Sequence, residues 1–407
     1  MLHAGVSATG TSRIAVTHLH GDHCLGFARV AARCRRTLPL RTRIPSGSGR
    51  CCRGTPIHCI PMTLLPVRPI ATTKPLTRET EPSPLAGSAV TAKHSPVSWA
   101  AEGTLFAVDF SAATDEPVAP RVAFRLGDRP RDAYGAALAP DSGCVVVATQ
   151  HEALCVDADG TVRWRIPFTQ PAHSSIGLAN CAFSRDGAHV WIFRPDAMLG
   201  RGDGGDRWLV VAAADGRMLA EHALPTVGQG AHQVAHPDGI HMLLDVGEGQ
   251  DGVFLFHGRL DGDAISVRAY PWDDRCLIDV SPDGREFMTV GHGEEDAVFH
   301  AFPDGTELCR FAVDRFLTPA GPGEDGNTDD DEGEEPHIAW SGGYLDASTA
   351  VVTVAGETED DEWTIPYVVD LSSGAIRGRL AAEPRLRGDG TWTTVDDQGQ
   401  LTLWELG

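Results

Sequence analysis

From residue 97 onward, short apolar runs alternate with polar turns, and the alternation recurs along the chain. The stretch "GAALAPDSGCVVVATQHEALCVDADGTVRWRIPF" (135–168) shows the unit. A small-residue run precedes a polar turn ending in glycine. "CVVVAT" then reads as a buried strand, "ALCVDA" as its neighbour, and "TVRWRIPF" follows a second Asp-Gly turn. Four such runs joined by hairpin turns predict one four-stranded antiparallel sheet. "CLIDVSPDGREFMTVGHGEEDAVFHAFPDGTELCRF" (276–311) repeats the plan. "RLRGDGTWTTVDDQGQLTLWEL" (385–406) repeats it too, but stops after three strands.

The turn glycines mark the period. Gly103, Gly143, Gly187, Gly239, Gly284, Gly343 and Gly390 are spaced by 40, 44, 52, 45, 59 and 47 residues. Sheets of four strands at this period are the blades of a β-propeller. Seven landmarks predict seven blades over 97–407. Six is the alternative, because the unit at 97–126 is irregular. The Pro-, Thr- and Ser-rich stretch 62–96 reads as a linker. Since the last unit lacks a strand, "MTLLPVRPIA" or "GSAVTAK" within that stretch is expected to complete it and remove an open sheet edge.

Charge divides the chain. Residues 1–61 hold nine Arg, no Lys and one acid, whereas the whole chain carries a formal charge of −22. The body is therefore strongly acidic, which does not suit phosphate binding, so a nucleic-acid partner is not expected there. Five of the ten cysteines also fall in the first 61 residues, and no CxxC pair occurs. The later cysteines, such as Cys144 and Cys155, read as small buried apolar groups. There is no apolar run of 18 residues and no basic segment followed by an apolar core at the start. A cytoplasmic, monomeric protein with a poorly ordered extension over 1–61 is expected.

The most chemically loaded segment is "VTHLHGDHCLGF" (16–27), with His18, His20, Asp22 and His23 in six residues. Histidines two apart in an extended segment point the same way. The glycine permits a turn that lets Asp22 and His23 face a second metal, and two metals can activate a shared hydroxide. The run "MLHAGVSATGTSRIAVTHLHGDHCLG" resembles the ribonuclease Z branch of the metallo-β-lactamase superfamily. That resemblance implies zinc, with His18 and His20 on one ion and Asp22 and His23 on the other. It covers only about residues 1–33. The later ligands and the surrounding sheet have no counterpart in the chain, and without a scaffold ligands are not held in catalytic geometry. The reading favoured is a truncated, non-functional fragment, so no cofactor is expected. A zinc-dependent endonuclease acting on tRNA 3′ ends is the alternative.

In an antiparallel meander with strands a, b, c and d, the b–c loops and d–a connections share one face of the ring. Acidic insertions fall there, at 324–335, 357–362, 294–296 and 247–252. They hold 18 acids and no Lys or Arg. Asp329, Asp330, Asp331, Asp360, Asp361 and Glu295 are thus the candidate binding residues for a basic partner, drawn by their summed field. "DGNTDDDEG" alternates Asp325, Asn327, Asp329 and Asp331, but lacks the glycine and glutamate of a calcium loop. No GxSxG and no GxxxxGK[ST] is present. His232, His236 and His241 cluster in sequence and read as core or turn residues rather than ligands. Trp164, Trp191, Trp340 and Trp404 read as packing between blades. The repeated "SPDG" and the terminal "LTLWEL" resemble WD-repeat-like propellers, and "DADGTVRWRIPF" resembles quinoprotein-type repeats. Both resemblances specify fold rather than function. The function expected is a non-enzymatic interaction or scaffold protein.

Overall fold

The computed structural model describes residues 57–59, 62–76, 96–126 and 134–407, apart from 102, 112–116, 174–176, 203, 320–334 and 358–361. Seven sheets follow one another along the chain. Blade 1 holds Val97–Ala101, Thr104–Val108 and Val122–Arg125. Blades 2 to 6 each have four strands in sequence order. They start at Tyr134, Asn180, Gly230, Arg275 and His337. Every neighbouring pair within them is antiparallel, as hairpin connections require.

Blade 7 has only Arg385–Leu386, Thr391–Val395 and Leu401–Leu406 from its own stretch of chain. Its fourth strand is Val67–Thr72, antiparallel to Leu401–Leu406 with Val67 opposite Leu406. The first of the two closing segments expected from sequence is the one used. The chain is a seven-bladed β-propeller.

Ring closure is visible in the packing. Seven apolar clusters lie between the seven blades. Val146 and Cys155 of blade 2 pack against Ile192 and Leu209 of blade 3. Leu401 and Leu403 of blade 7 pack against Phe106 and Val108 of blade 1. The apolar runs were legible as strands because blade faces are covered on both sides, so inner strands lose the one-in-two alternation. The strand Cys144–Thr149 is buried at all but its last position.

Three of the four tryptophans named from sequence reach across a strand or blade boundary. Trp164 Nε1 donates to Ala213 O at 2.9 Å and Trp340 Nε1 to Gly291 O at 3.1 Å. Trp404 Nε1 donates to Thr394 Oγ1 at 2.9 Å. Trp191 is buried against Trp208, their ring centres 4.9 Å apart. Cys144, Cys155, Cys181 and Cys276 are free and buried.

One landmark glycine is not a turn. Gly343 lies inside the first strand of blade 6, His337–Tyr344, where the register shifts between Ile338 and Gly342. Its φ is +132°, and a Cβ there would sit 2.6 Å from Asp279 Oδ2. The glycine allows close approach of two blades, and the true turn follows at 345–348. A further short strand, Ile57–Cys59, lies within a stretch that shows no period in sequence. It pairs antiparallel with Leu317–Pro319. Among the described residues no helix is long and apolar enough to cross a membrane.

Candidate functional site

Strand order decides which loops meet. In blades 4 to 6 the b–c turns and the d–a connections emerge on one rim, and the a–b and c–d turns on the other. The first rim carries Glu248 and Asp251 in blade 4, Glu294 and Glu295 in blade 5, and Glu357 opposite Glu362 in blade 6. Glu295 is exposed in the turn between Glu286–Gly291 and Asp296–Ala301. Asp329, Asp330, Asp331, Asp360 and Asp361 lie outside the described residues, as do Asp325, Asn327, His18, His20, Asp22 and His23.

The connection between blades 5 and 6 is nevertheless anchored at both ends. Val313 N donates to Glu295 O at 3.0 Å, and Ile338 N donates to Glu294 O at 2.7 Å. In sequence, the acid-rich segment 324–335 falls within this connection.

Buried carboxylates that the sequence reading passed over tie neighbouring blades together. Asp245 Oδ1 accepts from His232 N and Oδ2 from Leu277 N, both at 2.9 Å, which joins blade 4 to blade 5. Asp279 Oδ2 accepts from Tyr344 N at 2.9 Å, joining blade 5 to blade 6. Asp206 accepts from Thr226 Oγ1 at 2.8 Å and from Gly228 N at 2.6 Å, fixing the connection into blade 4. Burial pushes these carboxyls up, Asp245 to about 7 and Asp206 and Asp279 to about 6, against the opposing pull of the N–H donors. The signal was present: an acid inside an apolar strand run, "MLLDV" and "CLIDV", has no reason to be there unless it is hydrogen-bonded.

Blade 5 carries a buried polar chain. Arg275 Nε donates to Thr289 Oγ1 at 2.7 Å and Arg275 Nη2 to Asp296 Oδ1 at 2.6 Å. Thr289 Oγ1 lies 2.8 Å from His300 Nε2, and His300 Nδ1 lies 3.2 Å from Gly305 O. A carbonyl only accepts, so Nδ1 carries the proton and Nε2 accepts from the threonine hydroxyl. Burial pushes His300 down to about 4, so the ring is neutral and the chain fully satisfied. This is interior wiring with no open side.

On the opposite rim a different cluster forms. His236 follows the first strand of blade 4, Asp238 sits in its a–b turn and His241 begins the second strand. One ligand atom from each lies within 4.8 Å of the others. His236 Nδ1 is 3.0 Å from Asp238 Oδ1, and His241 Nδ1 is 2.6 Å from Asp238 Oδ2. Burial opposes ionisation of Asp238, but hydrogen bonds from His241 and Ile240 outweigh it and hold the carboxyl well below its usual range. Phe302 packs against His236, His241 and His257, with ring centres 4.3, 5.3 and 5.6 Å away. Burial pushes His257 down to about 4. Its Nδ1 meets Tyr270 Oη at 3.2 Å. His232, named with His236 and His241 from sequence, is not part of this cluster.

Neither a protein-family model nor a curated protein sequence matches the chain. Solved structures do. The β-propeller domain of Cps50 (Swd1) from Myceliophteria thermophila is similar at 11% identity and a TM-score of 0.47, over 86% of this chain and 100% of that one. The Dos1 propeller is similar at 13% identity and a TM-score of 0.43, over 75% and 76% of the two chains. BamB from Moraxella catarrhalis is similar at 11% identity and a TM-score of 0.38, over 85% and 100%. The fold assignment rests on the strand pairing itself.

Proposed function

We propose that the protein is a non-catalytic interaction platform that docks a basic protein segment on its b–c rim. The observation that carries this reading is the double anchoring of the blade 5 to blade 6 connection on the backbone of Glu294 and Glu295. The acid-rich segment 324–335 falls in sequence within that connection, whose anchored ends meet the rim that bears Glu248, Glu357 and Glu362. With a formal charge of −22, the chain steers positively charged partners, and the acidic rim sets where they land. Asp329, Asp330, Asp331, Asp360, Asp361 and Glu295 are the residues assigned to that contact. Such binding is screened over about 8 Å at physiological salt. It therefore weakens as salt rises, mainly through slower association.

The test is titration of a lysine-rich peptide into the full chain at several salt concentrations. Replacing Asp329, Asp330, Asp331, Asp360 and Asp361 by Asn is expected to weaken binding about tenfold or more and to flatten the salt dependence. Replacing the exposed Asp215, Asp261 and Asp263, which lie in c–d turns on the other rim, is the control. Equal losses from both sets would show a diffuse field rather than a docking face. RNA cleavage that requires His18, His20, Asp22 and His23 would instead favour the zinc endonuclease reading.

A further inference from the structure

We propose that His236, Asp238 and His241 form a binding site for a single divalent transition-metal ion of the zinc type, with solvent completing its coordination. Two imidazoles and a carboxylate are the donor set of an open zinc site. Zinc held at about 2.0–2.2 Å from each donor separates tetrahedral ligands by roughly 3.4 Å. The observed separations of 3.0 and 2.6 Å need only a small outward shift. Asp238 and His241 can make it, since their side chains are 35% and 18% exposed, whereas His236 is held at 8%.

The way His236 is held points to a cation. Its Nε2 lies 2.8 Å from Gly284 O, in the a–b turn of blade 5. A carbonyl only accepts, so Nε2 carries the proton and Nδ1 presents its lone pair. This is the outer-sphere arrangement that orients a metal-binding imidazole. Nδ1 also receives the backbone N–H of Asp238 at 3.3 Å, but its nearest neighbour is the carboxylate oxygen at 3.0 Å. Two acceptors facing each other need a positive charge between them. Gly284 is part of the seat: its φ is +72°, and a Cβ there would lie 2.7 Å from the His236 ring.

The repeat supplies an independent comparison. The corresponding turns of blades 3 and 5 place Ser184 and Ser281 where blade 4 has His236. Each hydroxyl donates to the aspartate two residues on, at 2.6 and 2.8 Å. Each also accepts the N–H of the residue five on, at 3.0 and 2.9 Å. A serine therefore satisfies the turn completely, and the fold has no need of imidazole there. At the start of the following strand, blade 3 has His189 and blade 5 has Glu286. Among these three turns, blade 4 alone puts imidazoles at both positions.

The experiment uses the full chain with His18→Ala and His20→Ala, so that the N-terminal motif does not contribute. Zinc is titrated by calorimetry, and cobalt is followed by its visible d–d absorption. One zinc per chain is expected, together with a rise in Tm on adding zinc. His236→Ser, which installs the residue of blades 3 and 5, is expected to fold normally and to weaken zinc by at least about tenfold. His241→Ala is expected to do the same, and both should abolish the zinc-dependent rise in Tm. Unchanged zinc affinity in folded His236→Ser would overturn the assignment. So would loss of all zinc binding on removing only His18 and His20. In either case the cluster is a hydrogen-bonded turn and not a metal site.

Discussion

Replacing Asp245 by alanine removes the acceptor for the buried N–H of Leu277 and a hydrogen bond from the part-buried N–H of His232, each 2.9 Å from a carboxylate oxygen. A buried donor left without a partner costs about 1–3 kcal/mol and an ordinary lost hydrogen bond about 1 kcal/mol, so the substitution costs about 3 kcal/mol. The cost depends on pH in a definite direction. Burial raises the carboxyl from 3.8 to about 7 in the folded chain. The native state thus binds more protons than the unfolded state in that interval. The stability this group contributes is fully present below about pH 4 and is lost as pH rises through about 7, at about 1.4 kcal/mol per pH unit. Asp206 and Asp279 titrate similarly, but they are present in both proteins and cancel in the difference. Asp245→Ala should therefore be most deficient at about pH 4 and below, with the deficit essentially gone by about pH 7.5. Urea unfolding followed by tryptophan fluorescence at a series of pH values measures it. A deficit that widens with pH would refute the reasoning, because it would mean a carboxylate stabilised in its charged form.

Two further substitutions test the packing. Gly258→Ala places a methyl 2.7 Å from Trp208 and 2.8 Å from Trp191, and overpacking of this kind is expected to cost about 1–3 kcal/mol; wild-type stability in denaturant would show that the tryptophan pair yields freely. Arg275→Ala leaves Asp296 buried with Arg310 as its one cationic partner among the described residues. It also takes the Arg275 donor from Thr289. A loss of about 3 kcal/mol is expected, read from the denaturation midpoint, and a change below about 1 kcal/mol would mean that Arg310 compensates fully.

The fold was legible because the blade is a local unit. Hairpins such as 144–157 announce themselves by an apolar run, a short polar turn and another apolar run, all within a few residues. Closure by Val67–Thr72 was legible for a different reason, the strand missing after Leu406. Gly343 misled because a bulge glycine and a turn glycine carry the same letters, and only the approach of Asp279 tells them apart. The His236–Asp238–His241 cluster was half visible, since spacing puts the three residues near one turn. The proton on Nε2 was not, because the Gly284 carbonyl that holds it belongs to the next blade, 48 residues away. Strand alternation alone put Glu295 on the rim with Glu248 and Glu357, whereas Asp329, Asp330, Asp331, Asp360 and Asp361 lie outside the described residues.

The closing strand sets the order in which the ring can be made. Arg68 and Glu405, which pair across it, are 337 residues apart, whereas every other blade is built from a continuous stretch. Joining ends at that separation carries a loop-closure cost of about 5 kcal/mol. Each of blades 2 to 6 folds on contacts available as soon as its own residues emerge from the ribosome, but Val67–Thr72, held before then by the hydrogen bond from Val118 N to Thr72 O, has no neighbouring strand to pair with until Leu401–Leu406 is translated. Between those two events the growing ring is an open arc whose closing strand is not yet in a sheet. That is the interval in which a chaperone, or a neighbouring chain offering a bare edge, competes for the same hydrogen bonds.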